Sequence, residues 1–134
     1  MKIYNNHKEL IKFYHDNGIE IDNNKGYVFT PTISYIVEKN NKLIGAITIS
    51  DFKDGIFIEA IAILGDYRNK GIGKELLNKV IKENNKIFLV SKLLNYFEQF
   101  GFEETYEYNM LLSECEKCKD FKKTCFPKVM LFNK

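Results

Sequence analysis

The sequence has little that would direct it out of the cell, into a membrane or onto a polyanion. Its 134 residues include no tryptophan, two prolines and three cysteines. No apolar stretch reaches the roughly 18–20 residues of a membrane-spanning helix, and the N-terminal region lacks the apolar core of a signal peptide. The net charge of +2 is too small to indicate a nucleic acid or an anionic membrane as the main partner. These absences predict a cytoplasmic protein that binds neither nucleic acid nor membrane.

The few cysteines lie together near the C-terminus, at Cys115, Cys118 and Cys125. An odd number of thiols without an export signal argues against a disulfide framework. Their spacing resembles a metal knuckle, but a structural zinc site takes four ligands. A metal or redox role and simple burial of soft apolar side chains both stay open, so no metal ligand is assigned.

Size and composition indicate one ordinary globular domain over residues 1–134. Such a chain buries roughly two-thirds of the surface that it exposes when unfolded. Its apolar content of 45% and charged content of 28% are typical of soluble domains.

Hydrophobic spacing predicts an α+β protein in which helices pack on a sheet. The first three strands follow one another through turns, the first of which carries Asn40-Asn41 and is a hairpin signal. The tail from Ser113 onward carries no assignable pattern. The predicted elements are a helix at 7–17, strands at 33–38, 43–50 and 56–64, a helix ending near Glu83, a strand at 86–91, a helix at 92–100 and a strand or hairpin from Phe102 to about Leu112.

The single arginine of the chain, Arg68, opens an R-x-x-G-x-G pattern that follows an apolar strand and precedes a helix. Glycines at Gly71 and Gly73 allow a tight turn and a close approach of backbone N–H groups to an anion, and the helix N-terminus adds positive potential. Because Lys74-Glu75 follows the second glycine, neither the dinucleotide nor the nucleoside-triphosphate pattern fits. The loop is interpreted as a pyrophosphate site, and a turn that binds nothing is the alternative.

Residues 58–77 closely resemble the central motif of the GNAT superfamily of N-acetyltransferases. Residues 95–102 are similar to its penultimate helix, which ends in an aromatic-x-x-x-Gly-Phe pattern. The resemblance covers about residues 33–112. It implies a GNAT-like acyl-CoA N-acyltransferase fold, with a mixed, mostly antiparallel sheet flanked by helices. The cysteine tail resembles those of some small bacterial and archaeal members.

The resemblance also implies acetyl-CoA as co-substrate and assigns its contacts. The main chain of the strand before the loop would pair with the pantetheine amides as an added strand does. The loop backbone would hold the pyrophosphate. The residues implied are Ile61, Ala62 and Ile63 for pantetheine, and Arg68, Asn69, Lys70, Gly71, Ile72, Gly73 and Lys74 for pyrophosphate.

Glu59 is the candidate general base. Deprotonating an amine of pKa about 10.4 at pH 7 costs about 4–5 kcal/mol, and a carboxylate among apolar neighbours can take up that proton. Glu59 is the sole ionisable residue between Asp54 and Asp66. Many GNAT enzymes use an acidic residue on this strand as the base. The alternative is a strand carboxylate that faces solvent.

The general acid is less clearly assigned, because Phe97 stands where many family members have a tyrosine. Tyr96 is adjacent but lies about 100° around the helix, so it is expected to face elsewhere. Water, Tyr96 and the absence of an acid all stay open. The alternative is that both aromatics are ordinary core residues.

The sequence therefore predicts an enzyme that moves an acetyl group from acetyl-CoA to a primary amine of a small molecule, such as an amino acid. The acceptor cannot be named from the sequence, and a homodimer is left open. One alternative is a non-catalytic acyl-CoA-binding module, which Phe97 favours. Another is a metal- or redox-responsive protein that uses the cysteine tail.

Overall fold

The computed structural model describes residues 1–19, 33–91, 93–106 and 128–134. The three cysteines lie outside these ranges. The described elements, in chain order, are β1 Lys2–Ile3, α1 His7–Asp16, β2 Ile33–Lys39, β3 Lys42–Phe52, β4 Gly55–Ile63, a short 3₁₀ turn Gly65–Tyr67, α2 Ile72–Glu83, β5 Lys86–Ser91, α3 Leu94–Glu98, β6 Glu103–Thr105 and β7 Lys128–Asn133.

One seven-stranded sheet joins all the described strands in the order β1-β2-β3-β4-β5-β7-β6. Only β4 and β5 run parallel among these pairs, and every other pair is antiparallel. The parallel pair needs a crossover, which α2 provides. The predicted fold class, a mixed and mostly antiparallel sheet flanked by helices, is confirmed.

The first three long strands form a meander through two tight turns. Asn40 and Asn41 have φ of 54° and 62°, so both central residues of the β2–β3 turn are left-handed. That backbone twist suits a two-residue hairpin, and asparagine tolerates it better than most residues. The hairpin predicted at this site is confirmed.

Helices cover both faces of the sheet, and each face has its own core. On one face α1 buries Leu10, Phe13 and Tyr14 against small and aliphatic side chains of β2, β3 and β4. On the other face α2 and α3 pack on the isoleucines of β3 and β4. We call these the α1 face and the α2 face. Among the described residues, no helix is both long and apolar enough to cross a membrane.

The structure adds two strands that the sequence analysis did not predict. β1 pairs with β2 at one edge, and β7 lies between β5 and β6. α3 occupies only Leu94–Glu98, which is shorter than the predicted helix at 92–100. β6 corresponds to the start of the strand predicted from Phe102, whose later part lies outside the described residues.

Candidate cofactor cleft and acceptor face

The parallel strands β4 and β5 separate soon after they meet. Their pairing is limited to Ile56 with Ile87 and Phe57 with Phe88. β4 then continues to Ile63 and β5 to Ser91 with no further pairing between them in the described part of the chain. The side chains of Ile61 and Ile63 are half-buried there, whereas the strands are buried where they pair. The sheet thus has an opening between these two strands.

The main-chain groups of β4 that border this opening belong to alternate residues. Leu64 N donates to Ile44 O at 2.8 Å, and the antiparallel register runs on through Ala62 opposite Ala46. Since successive residues turn their N–H and C=O groups to opposite sides of a strand, Ala62 faces β3. Ile61 and Ile63 therefore direct their groups toward the opening. Of the three residues predicted to pair with pantetheine, these two have the required orientation.

Glu59 occupies a β-bulge in β4. Thr48 lies opposite Ala60 and Ile49 lies opposite Ile58, so Glu59 is the extra residue. Ile58 and Ile61 both pack on the α2 face although they are three positions apart, and Ala60 packs on the α1 face. The alternation thus places Glu59 beside Ala60 on the α1 face, where it is half-buried. The predicted base thus lies on the side of the sheet opposite α2.

The glycine loop lies at the end of β4 and is open to solvent. Asn69 and Gly71 have φ of 63° and 85°, and Gly71 is the N-cap residue of α2. No side chain caps the N-terminus of α2 in the described structure, so the amides of its first turn are available to a ligand. Arg68 Nε donates to Ile63 O at 3.0 Å. The guanidinium therefore joins the loop to the strand end that borders the opening.

The two adjacent aromatics of α3 have different environments. Phe97 is buried in the α2-face core, with its ring centroid 5.8 Å from that of Phe102. Tyr96 is 39% exposed, and its hydroxyl lies 3.2 Å from the point that a Cβ on Gly73 would occupy. Tyr96 thus faces other surroundings than Phe97, as expected for adjacent residues of a helix, and its hydroxyl lies against the first turn of α2. Burial raises the pKa of Tyr96, which keeps its hydroxyl protonated.

A row of hydroxyl groups, which the sequence analysis did not single out, lies on the α1 face close to the bulge. Thr48 Oγ1 is 2.8 Å from both Tyr14 Oη and Ser34 Oγ. Ser50 continues the row along β3, and its Oγ is buried without a hydrogen-bond partner. The signal in the sequence was the alternation of Thr48 and Ser50 in a strand that is otherwise almost wholly apolar.

Comparison with known protein families shows which family this chain belongs to. The model of the acetyltransferase (GNAT) family matches residues 4–102. The chain belongs to the GNAT family of acetyltransferases. This membership confirms the predicted enzyme class. A comparison with curated proteins finds no match.

Solved GNAT structures share the fold at low sequence identity. The ribosomal-protein-S18-alanine N-acetyltransferase of Escherichia coli aligns with 98% of this chain and 92% of its own, at a TM-score of 0.66 and 17% identity. The N-acetylglutamate synthase of Neisseria gonorrhoeae, complexed with coenzyme A and N-acetyl-glutamate, aligns with 98% of this chain and 34% of its own (TM-score 0.66, 16% identity). An acetyltransferase of Bacillus anthracis in complex with acetyl coenzyme A aligns with 81% of this chain and 66% of its own (TM-score 0.59, 20% identity). The fold of this family member is therefore well supported along the described chain.

Proposed function

We propose that this GNAT protein transfers the acetyl group of acetyl-CoA to a primary amine of a small molecule, with an amino acid as the leading candidate. The observation that carries the proposal is the opening between β4 and β5. The exposed glycine loop lies next to this opening, where β4 ends. A flexible arm with two amides, ending in a pyrophosphate, matches both features at once. The B. anthracis and N. gonorrhoeae neighbours hold acetyl coenzyme A and coenzyme A.

The cofactor fits residues that the structure leaves available. Ile61 and Ile63 offer main-chain groups to the pantetheine amides, in the way that a peptide adds a strand to a sheet edge. The first-turn amides of α2, with Asn69 and Gly71 in left-handed conformations, form a concave set of donors for the pyrophosphate. The Nη groups of Arg68 add charge-assisted hydrogen bonds to the same phosphates.

Glu59 then acts from the opposite face as the general base. An acceptor that enters on the α1 face meets the carboxylate at the bulge, while the thioester reaches the same place along the opening. The ammonium loses a proton to Glu59, and the amine attacks the thioester carbonyl carbon in a complex of both substrates. This arrangement separates the donor and acceptor paths and holds the reacting groups together.

Tyr96 is the proposed proton donor to the departing thiolate. Phe97 has no hydroxyl, and its ring is part of the core. Tyr96 instead places a neutral hydroxyl between the first turn of α2 and the end of β4, on the donor side. Its raised pKa keeps the phenol neutral, so that it can donate a hydrogen bond to the departing thiolate.

An amino acid acceptor is supported by the chemistry of two structural neighbours. The N. gonorrhoeae enzyme is complexed with N-acetyl-glutamate, and the E. coli enzyme is named for an alanine. The acetylated compound in the first structure and the acceptor named for the second enzyme both contain an amino acid.

Calorimetric titration of the purified protein with acetyl-CoA tests the proposal first, followed by a screen of amines in which release of the CoA thiol is measured. We expect micromolar binding, and turnover that requires both the amine and Glu59. A non-catalytic acyl-CoA-binding module, which Phe97 favours, predicts binding without turnover and no effect of Glu59→Gln on any property. Absence of acetyl-CoA binding would contradict both functions.

A further inference from the structure

Ser50 is an unusual residue on the α1 face. Its side chain is only 2% exposed, and among the described residues its hydroxyl is the buried side-chain group without a hydrogen-bond partner. Leaving a hydroxyl buried and unpaired is destabilising, and native structures contain few such groups. An alanine would avoid this cost at the same position. This cost suggests that the hydroxyl of Ser50 has a function.

The position of Ser50 relative to Glu59 suggests that use. On β4, Phe57 lies opposite Ser50 and Ala60 lies opposite Thr48, and Glu59 lies between these two partners. Diagonal neighbours on one face of an antiparallel pair are about 7–8 Å apart at Cα. A glutamate side chain and a serine hydroxyl can cover that separation with a single water molecule between them. Ser50 and Glu59 are therefore close enough to share a water.

The other hydroxyls of the row are already engaged. Thr48 Oγ1 exchanges hydrogen bonds with Tyr14 Oη and Ser34 Oγ, each at 2.8 Å. Each hydroxyl has one proton to donate, so Tyr14, Thr48 and Ser34 use most of their hydrogen-bonding groups on one another. Within the described part of this face, Ser50 is the member of the row that keeps both its donor and its acceptor capacity.

We infer that Ser50 is a positioning residue, whose hydroxyl holds the water through which Glu59 takes a proton from the acceptor ammonium. The inference rests on the proposed acetyl transfer. The ammonium gives a proton to the water while the water gives one to Glu59, and the freed lone pair forms the C–N bond. The C–S bond then breaks, and the nitrogen loses its second proton as the thiolate gains one. The products are the amide, CoA thiol and one proton, which Glu59 returns to solvent.

Ser50→Ala is the direct test. We expect kcat to fall about tenfold, a fraction of what a general base contributes. The affinity for acetyl-CoA should stay unchanged, and the solvent deuterium isotope effect on kcat should differ from that of the wild type because proton transfer has become slower. The unfolding midpoint should change little, since the Ser50 hydroxyl has no hydrogen bond to the described protein groups. Ser50→Thr, which keeps a hydroxyl, should restore most of kcat.

Ser34→Ala is the matched control, because it makes the same chemical change on the same face at a hydroxyl that has a partner. Here the unfolding midpoint should fall, and kcat per folded enzyme should stay at the wild-type value. If Ser50 had only a structural role, Ser50→Ala would leave kcat per folded enzyme at the wild-type value, as is expected for Ser34→Ala.

The outcomes separate the two proposals. If the wild type binds acetyl-CoA but turns over no amine, the proposed function fails and the role of Ser50 fails with it. If the wild type is active and Ser50→Ala keeps kcat within twofold with an unchanged isotope effect, the role of Ser50 is refuted and the proposed function stands.

Discussion

Removal of the single arginine should weaken acetyl-CoA binding far more than removal of a neighbouring lysine. Arg68 is exposed, and its Nε donates to Ile63 O at 3.0 Å, which leaves the Nη groups for a ligand. A hydrogen bond to a charged partner is worth about 1.5–3 kcal/mol. Arg68→Ala should therefore raise the Kd for acetyl-CoA about 10- to 150-fold.

Two further variants separate geometry from charge. Lys70→Ala removes the same unit charge from the same loop, where the ammonium lies 5.6 Å from the Tyr67 ring centroid. Because exposed charges are screened by salt, we expect a loss of less than about fivefold. Arg68→Lys keeps the charge but lacks the planar array of donors that reaches a carbonyl and a phosphate together. Its Kd should resemble that of Arg68→Ala more than that of the wild type.

Calorimetric titration at low and moderate salt measures all three variants, with unfolding midpoints as the control for folding. Since Arg68 is exposed, its replacement should change the midpoint little. The reasoning is refuted if Arg68→Ala and Lys70→Ala weaken binding equally at both salt concentrations. It is refuted also if Arg68→Ala binds within threefold of the wild type, because the loop would then hold the pyrophosphate without the guanidinium.

Further changes test the remaining parts of the site. Glu59→Gln should leave acetyl-CoA binding intact and reduce kcat by a factor of about 10²–10⁴, and wild-type turnover would exclude Glu59 as the base. Gly71→Ala meets no atom within 4 Å but forces a side chain to φ of 85°, so it should cost about 1–2 kcal/mol of stability and weaken binding. Gly65→Ala, with equal space and no positive φ, should change neither. Gly73→Ala should press on the Tyr96 hydroxyl, and Tyr96→Phe should relieve that contact, which gives a coupling of about 0.5–1 kcal/mol in unfolding free energies. Independent effects of these two changes would mean that the contact is absent. Tyr96→Phe alone should lower kcat and spare binding.

The parts of the fold that local sequence determines were predicted well. Gly18 at φ of 84° ends α1, and the two asparagines at φ of 54° and 62° make the β2–β3 turn. In each case a few adjacent residues specify the backbone by their own steric limits. β5 was also placed correctly, because a short apolar run between polar residues follows a helix that ends at a recognisable stop.

β7 could not be predicted in the same way, because its pairing is remote in sequence. It lies between β5 and β6, and the pairs join Lys86 with Asn133 and Ser91 with Lys128. A short apolar run is equally compatible with a strand and with part of a buried helix, and only its partners resolve the ambiguity. The position of the Tyr96 hydroxyl could not be predicted for the same reason, because it lies against Gly73 of α2, which is remote in sequence.

The bulge at Glu59 was invisible in the sequence because β4 is buried on both sides and shows no alternation of polar and apolar residues. Yet this one extra residue determines which main-chain groups of β4 border the opening. An extra residue reverses the alternation of everything beyond it. With strict pairing, Ala60 and Ala62 would turn their main-chain groups toward the opening, and Ile61 would leave the core under α2. The bulge instead turns the main-chain groups of Ile61 and Ile63 toward the opening and keeps the Ile61 side chain in the core under α2. The strand edge predicted to bind pantetheine thus depends on the bulge, whereas Glu59 would lie on the α1 face with or without it, so loss of the bulge should weaken acetyl-CoA binding and leave the face of Glu59 unchanged.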